Sequence, residues 1–102
     1  MLELRPTCEN CSRALPPDCL DARICSYECT LCAACVDGVL SNVCPNCGGS
    51  FVPRPVRPSR NWKGDNHLGK DAASETVVCR PVDPAIHAQF AASVRNIPPE
   101  HR

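Results

Sequence analysis

The sequence predicts a small metal-stabilised α+β module followed by an extended, partly disordered tail that carries one helix. Three observations point there. Nine of the ten cysteines lie between Cys8 and Cys47. Large side chains are scarce, the aromatics being Tyr27, Phe51, Trp62 and Phe90. The composition changes abruptly near residue 52, where Pro53-Arg54-Pro55-Val56-Arg57-Pro58 begins. A chain this poor in core-forming residues needs staples, either disulfides or metals. The N-terminal Met1-Leu2-Glu3-Leu4-Arg5-Pro6 has no apolar signal-peptide region, and no stretch reaches the roughly 18 apolar residues of a membrane span. A cytoplasmic setting keeps thiols reduced, so clustered cysteines are expected to bind metal.

The elements follow in chain order. Ala22–Cys25 and Tyr27–Leu31 are expected to form a short hairpin. Ala33 to Leu40 places Val36, Val39 and Leu40 on one helical face. Gly38 weakens that helix by about 1 kcal/mol relative to alanine. Leu15, Ile24, Leu31, Val36, Val39 and Leu40 supply a small apolar core. The expected division is a zinc-binding module over 1–52, a proline-rich basic linker over 53–82, largely disordered, and an amphipathic helix within 83–97. Asp83-Pro84 is an N-cap followed by proline at the first helical position. Ile86, Phe90 and Val94 form the expected apolar stripe of a helix from 84 to 96, stopped by Pro98-Pro99.

The chemistry lies in the cysteine spacing. It runs Cys8-x2-Cys11, thirteen residues to Cys25, then Cys29, Cys32 and Cys35, eight residues to Cys44, and x2 to Cys47. A C-x-x-C knuckle turns two thiolates toward one point, and zinc takes four ligands in a tetrahedron at about 2.3 Å. Two closed sites use eight cysteines and leave Cys19 and Cys79 over, Cys19 as a free thiol. Counting does not say which knuckles pair. Eight thiolates would fill two coordination spheres with no histidine or carboxylate among them to act as a base. The zincs are therefore expected to be structural and the chain not an enzyme. His67, His87 and His101 read as exposed tail residues.

The pattern resembles a RING finger over residues 8–47. It has a first C-x-x-C, a long loop, the close pair Cys25 and Cys29, a C-x-x-C opening a helix, and a final Cys44-Pro45-Asn46-Cys47. The resemblance implies a cross-braced fold with two zinc ions. One is held by Cys8, Cys11, Cys32 and Cys35, the other by Cys25, Cys29, Cys44 and Cys47. It also implies ubiquitin-ligase activity as an alternative function. Against that stand Asn10, where ligases present an apolar residue, and Gly48, where many carry a basic one. A closer resemblance spans residues 1–58. Leu2-Glu3-Leu4-Arg5-Pro6, Leu15-Pro16-Pro17-Asp18, Ile24-Cys25-Ser26, Glu28-Cys29-Thr30 and Cys44-Pro45-Asn46-Cys47-Gly48-Gly49 are similar to a bacterial cysteine-rich family, domain of unknown function 1272. It implies a bacterial source and no particular activity.

The first 50 residues hold three basic and six acidic side chains, the remainder eight and five. Arg54, Arg57, Arg60 and Lys63, with Trp62 among them, form a basic run that phosphate contacts could use. The expected partner is another protein, with nucleic acid a lesser alternative and no membrane.

Overall fold

The computed structural model describes all of residues 1–102. Three short strands form one antiparallel sheet in the order β2-β1-β3. β1 (Ala22–Ile24) pairs with β2 (Thr30–Cys32) in the register Ala22↔Cys32, Arg23↔Leu31, Ile24↔Thr30. β3 (Val52–Pro53) adds to the other side of β1. Proline fits this edge position, where its missing N–H breaks no central ladder. The second arm of the hairpin starts later than the expected Tyr27, because residues 25–29 are used as the turn. Glu28 N–H donates to the Cys25 carbonyl at 3.0 Å, and Cys25 N–H to the Cys29 carbonyl at 3.2 Å. The turn thus holds the two cysteines at its ends.

Helix α1 (Ala33–Gly38) starts directly from β2, with Cys32 as its N-cap residue. It stops at Gly38 rather than Leu40, and Ser41 and Asn42 then turn the chain with positive φ of 53° and 54°. Leu4, Leu15, Leu31, Leu40 and Val43 are almost completely buried, and Leu15, Leu31 and Leu40 share one cluster with Ala22, Val36, Phe51 and six of the cysteines. Burial of side chains of this size contributes roughly 1.5–3 kcal/mol each, a small total for a fold of this length. No helix is long and apolar enough to cross a membrane.

Helix α2 (Pro84–Ala92) has its expected N-cap: Asp83 Oδ1 accepts from Ala85 N–H at 2.9 Å and Ile86 N–H at 3.2 Å. Its buried face is not the expected one. Ile86 and Phe90 are exposed, and His87 and Ala91 are buried instead. The helix meets a polar end of the module, not an apolar groove. Leu40, just beyond α1, offers a carbonyl, and His87 Nε2 reaches it at 3.0 Å. His87 is therefore a docking group, not the exposed tail residue expected. The Phe90 ring stands beside Gly48, which has φ 76° and would bring a Cβ to 3.4 Å from the ring.

The segment between β3 and α2 has no regular secondary structure, but it is tied to the module at intervals. Arg57 donates to the carbonyls of Leu2 (2.7 Å) and Asp71 (2.9 Å). Ser74 N–H donates to the Leu4 carbonyl at 3.0 Å, and its hydroxyl to Glu3 at 2.8 Å. Arg54 is buried inside the module, where it donates to the carbonyls of Arg5, Leu15 and Pro16. Such single bonds to scattered carbonyls leave no periodic trace in sequence.

Candidate metal centre

The fold gathers thiols at two points. The sulfurs of Cys8, Cys11, Cys32 and Cys35 all lie within 4.8 Å of one another, as do those of Cys25, Cys44 and Cys47. The clusters interleave along the chain: the first and third knuckles meet, and the final knuckle meets the hairpin turn. The β1–β2 hairpin makes this possible. Its turn carries Cys25 to one side, while the end of β2 and the start of α1 present Cys32 and Cys35 to the other.

The donor set fits a tetrahedral thiophilic cation at the first point. A tetrahedron with metal–sulfur distances of about 2.3 Å has sulfur–sulfur edges of about 3.8 Å. Cys11 and Cys32 sulfurs are 3.8 Å apart. All ten cysteines are free thiols, and Cys8, Cys32, Cys35, Cys25 and Cys44 are buried. Cys29 stands slightly outside the tight group at the second point. Its thiol takes a bond from Asn46 Nδ2 at 3.4 Å. Cys19 is half-buried and Cys79 exposed, and neither joins a cluster.

The surroundings prepare the sulfurs for negative charge. Tyr27 N–H donates to Cys25 Sγ at 3.3 Å, Asn46 N–H to Cys44 Sγ at 3.4 Å, and Gly49 N–H to Cys47 Sγ at 3.4 Å. Burial opposes ionisation of Cys8, but backbone donors at Cys11, Cys32 and Asn10 outweigh it and hold the thiol below its ordinary value. Burial pushes the Cys35 thiol up to about 12, against the Asn10 hydrogen bond that lowers it. Burial raises Cys44 as well. Without a cation such buried thiols stay protonated at neutral pH, so a metal must displace their protons.

Two asparagines not expected from the sequence to touch sulfur stand beside the thiols. Asn10 Nδ2 donates to Cys35 Sγ at 3.3 Å, and Asn46 Nδ2 to Cys29 Sγ. Each sits third in its own knuckle, Cys8-Glu9-Asn10-Cys11 and Cys44-Pro45-Asn46-Cys47. Each reaches across to a sulfur of the other ligand pair at its point. The shared C-x-N-C spelling of the first and last knuckles was the available signal. Outer-shell donors of this kind orient metal ligands.

Glu9, between these ligands, is also buried. Its carboxylate takes bonds from Arg5 at 2.9 Å, from the Thr30 N–H, and from Arg80 at 2.9 Å. The pair of arginines and the amide satisfy a charge that would otherwise be costly to bury.

Residues 1–57 match the family described as a protein of unknown function, DUF1272. The chain belongs to this family. It is also 59% identical over 63 residues to an uncharacterized protein, R02474, of Rhizobium meliloti (strain 1021), a match covering 62% of this chain and 75% of that protein. No solved structure matches the chain. The family match ends at residue 57, so both cysteine clusters fall within it, and Arg80 and α2 fall outside.

Of the basic run, Arg54 and Arg57 are engaged with backbone carbonyls. Arg60, Lys63 and Trp62 remain exposed.

Proposed function

We propose that this DUF1272 protein is a small, non-enzymatic, cytoplasmic zinc-binding protein of bacterial origin. In this reading two structural zinc ions, held by Cys8, Cys11, Cys32 and Cys35 and by Cys25, Cys29, Cys44 and Cys47, brace a RING-like module that serves as a protein-interaction surface. The observation that carries it is the interleaved pair of all-thiol clusters. Thiolate sets of this kind select zinc among the common cellular cations. A structural zinc is closed by four protein ligands, whereas a catalytic one keeps a position open for water. The Asn46 bond to Cys29 is the argument for counting Cys29 as the fourth ligand of the second zinc.

A RING-type ligase is the weaker reading, because the amide of Asn10 is already spent on both sides: Nδ2 on Cys35 and Oδ1 on the Val82 N–H. Binding of nucleic acid through the basic run would rest on Arg60, Lys63 and Trp62 alone. Elemental analysis of protein purified under reducing conditions tests the proposal. Two zinc ions per chain are expected, and a count near one or a set of intact disulfides would overturn it.

A further inference from the structure

The first knuckle does more than carry thiols. Its two middle residues, Glu9 and Asn10, point acceptors outward, and the chain's own residues 80–82 are bound to all three of them. Arg80 N–H donates to the Glu9 carbonyl at 2.7 Å, the Arg80 guanidinium to Glu9 Oε1 at 2.9 Å, and Val82 N–H to Asn10 Oδ1 at 2.8 Å. The other Glu9 oxygen, Oε2, is taken by Arg5 and the Thr30 amide, which belong to the module. Oε1 is bonded only to Arg80 among the hydrogen bonds of this carboxylate, although the Glu9 side chain is 3% exposed. The module therefore builds a buried acceptor whose donor comes from outside the family-matched segment.

We propose that the Glu9–Asn10 edge is a docking site for an extended peptide segment of the form arginine-proline-apolar, and that Arg80-Pro81-Val82 is its resident, displaceable occupant. The spacing of the acceptors specifies the ligand. An arginine supplies both a backbone N–H for the Glu9 carbonyl and a guanidinium for Oε1. The residue two positions on supplies an N–H for Asn10. The residue between needs no N–H, and proline there holds the chain extended. The guanidinium reaches this preset carboxylate through one charge-assisted bond from Nη2, and its weak hydration suits a buried acceptor better than a lysine ammonium would.

The occupant is lightly held. Of the twenty buried residues only His87 and Ala91 lie beyond residue 54, and the Arg80 side chain is 53% exposed. Ile86 and Phe90, which continue the same strap, are exposed beside Pro45 and Pro81 in a shallow cleft. A partner carrying the same short segment could take the three acceptors while the rest of the tail swings clear. This rests on the reading of the module as an interaction surface and gives that surface a ligand.

The test uses the full chain with Arg80→Glu, which sets two carboxylates against each other and releases the resident segment. A fluorescein-labelled peptide of residues 77–84 is titrated against it and followed by anisotropy. The peptide is expected to bind the variant at least tenfold more tightly than the unmodified chain, where the resident segment competes. The same peptide with its arginine replaced by glutamate is expected to lose binding, and Asn10→Ala in the variant to weaken it severalfold. Arg80→Ala combined with Val82→Pro, which removes the guanidinium and the amide given to Asn10, serves as a second tail-released chain if Arg80→Glu misfolds. No binding to either released chain, or equal binding of the glutamate peptide, would overturn the proposal. A dimeric unmodified chain whose tails are exchanged would also overturn it, because the occupant would then belong to a second copy. A partner captured equally by unmodified and released chains would leave the interaction reading standing and refute this site alone.

Discussion

The cysteine half and the tail are held by different physics. In residues 1–54 the chain is closed by seven sulfurs converging at two points, five near-fully buried aliphatic side chains and a three-stranded sheet. Beyond residue 54 it is held by individual hydrogen bonds to carbonyls and carboxylates, with two buried side chains. The first kind of contact is cooperative, since every ligand depends on the others being in place. The second is a series of local attachments, each worth about 0.5–1.5 kcal/mol net, and can open piecemeal.

The largest break in this contrast should come from chelation. Structural zinc supplies folding free energy on the order of 10 kcal/mol per site, so a strong chelator under reducing conditions should unfold residues 8–47. Circular dichroism and amide exchange would record it; a module still folded without metal would refute the contrast. Acid should act in the same direction. Binding displaces protons from buried thiols such as Cys35, raised to about 12 by burial, so affinity falls as pH falls, and zinc should be released on acidification and retained at pH 7–8.

Glu9→Leu should come next. It removes the carboxylate that two arginines and an amide share, and breaking one member of a buried charged set costs roughly 3–5 kcal/mol. Denaturant unfolding of the metal-loaded protein reads this; a loss below 1 kcal/mol would mean the cluster contributes little. Leu31→Ala, within the apolar core at 1% exposure, should cost about 2–5 kcal/mol. Phe90→Ala, on the exposed helix face, should cost less than about 1 kcal/mol. An equal cost for both would erase the distinction between module and tail.

Deleting residues 59–102 sharpens the comparison further. The metal count should stay at two, while stability falls by roughly 1–3 kcal/mol, because Glu9 Oε1 and the Leu4 carbonyl lose donors. Loss of zinc on truncation would make the tail part of the metal-bearing fold. The smallest effect should be Asp83→Ala, costing about 1 kcal/mol of α2 stability, seen as faster amide exchange at Ala85 and Ile86 with the zinc centres unchanged.

The sequence by itself determined what repeats or obeys a local rule. Cysteine spacing marked the ligand knuckles, Asp83-Pro84 marked the start of α2, and the apolar residues around Leu31 and Leu40 marked the core. These signals are legible because each depends on neighbours a few positions away. Spacing alone left open which sulfurs meet; the RING resemblance implied a pairing, and the tertiary structure groups Cys8, Cys11, Cys32 and Cys35 and, apart from them, Cys25, Cys44 and Cys47. Only the tertiary structure decided that α2 docks by His87 and Ala91 and not by Ile86 and Phe90, and that Arg54 and Arg57 turn onto carbonyls instead of facing solvent. The reason is physical. A helix buries whichever face the opposing surface can satisfy, and here that surface offered the Leu40 carbonyl to His87. An arginine likewise goes where unpaired carbonyls converge, and their convergence exists only once distant segments have been brought together.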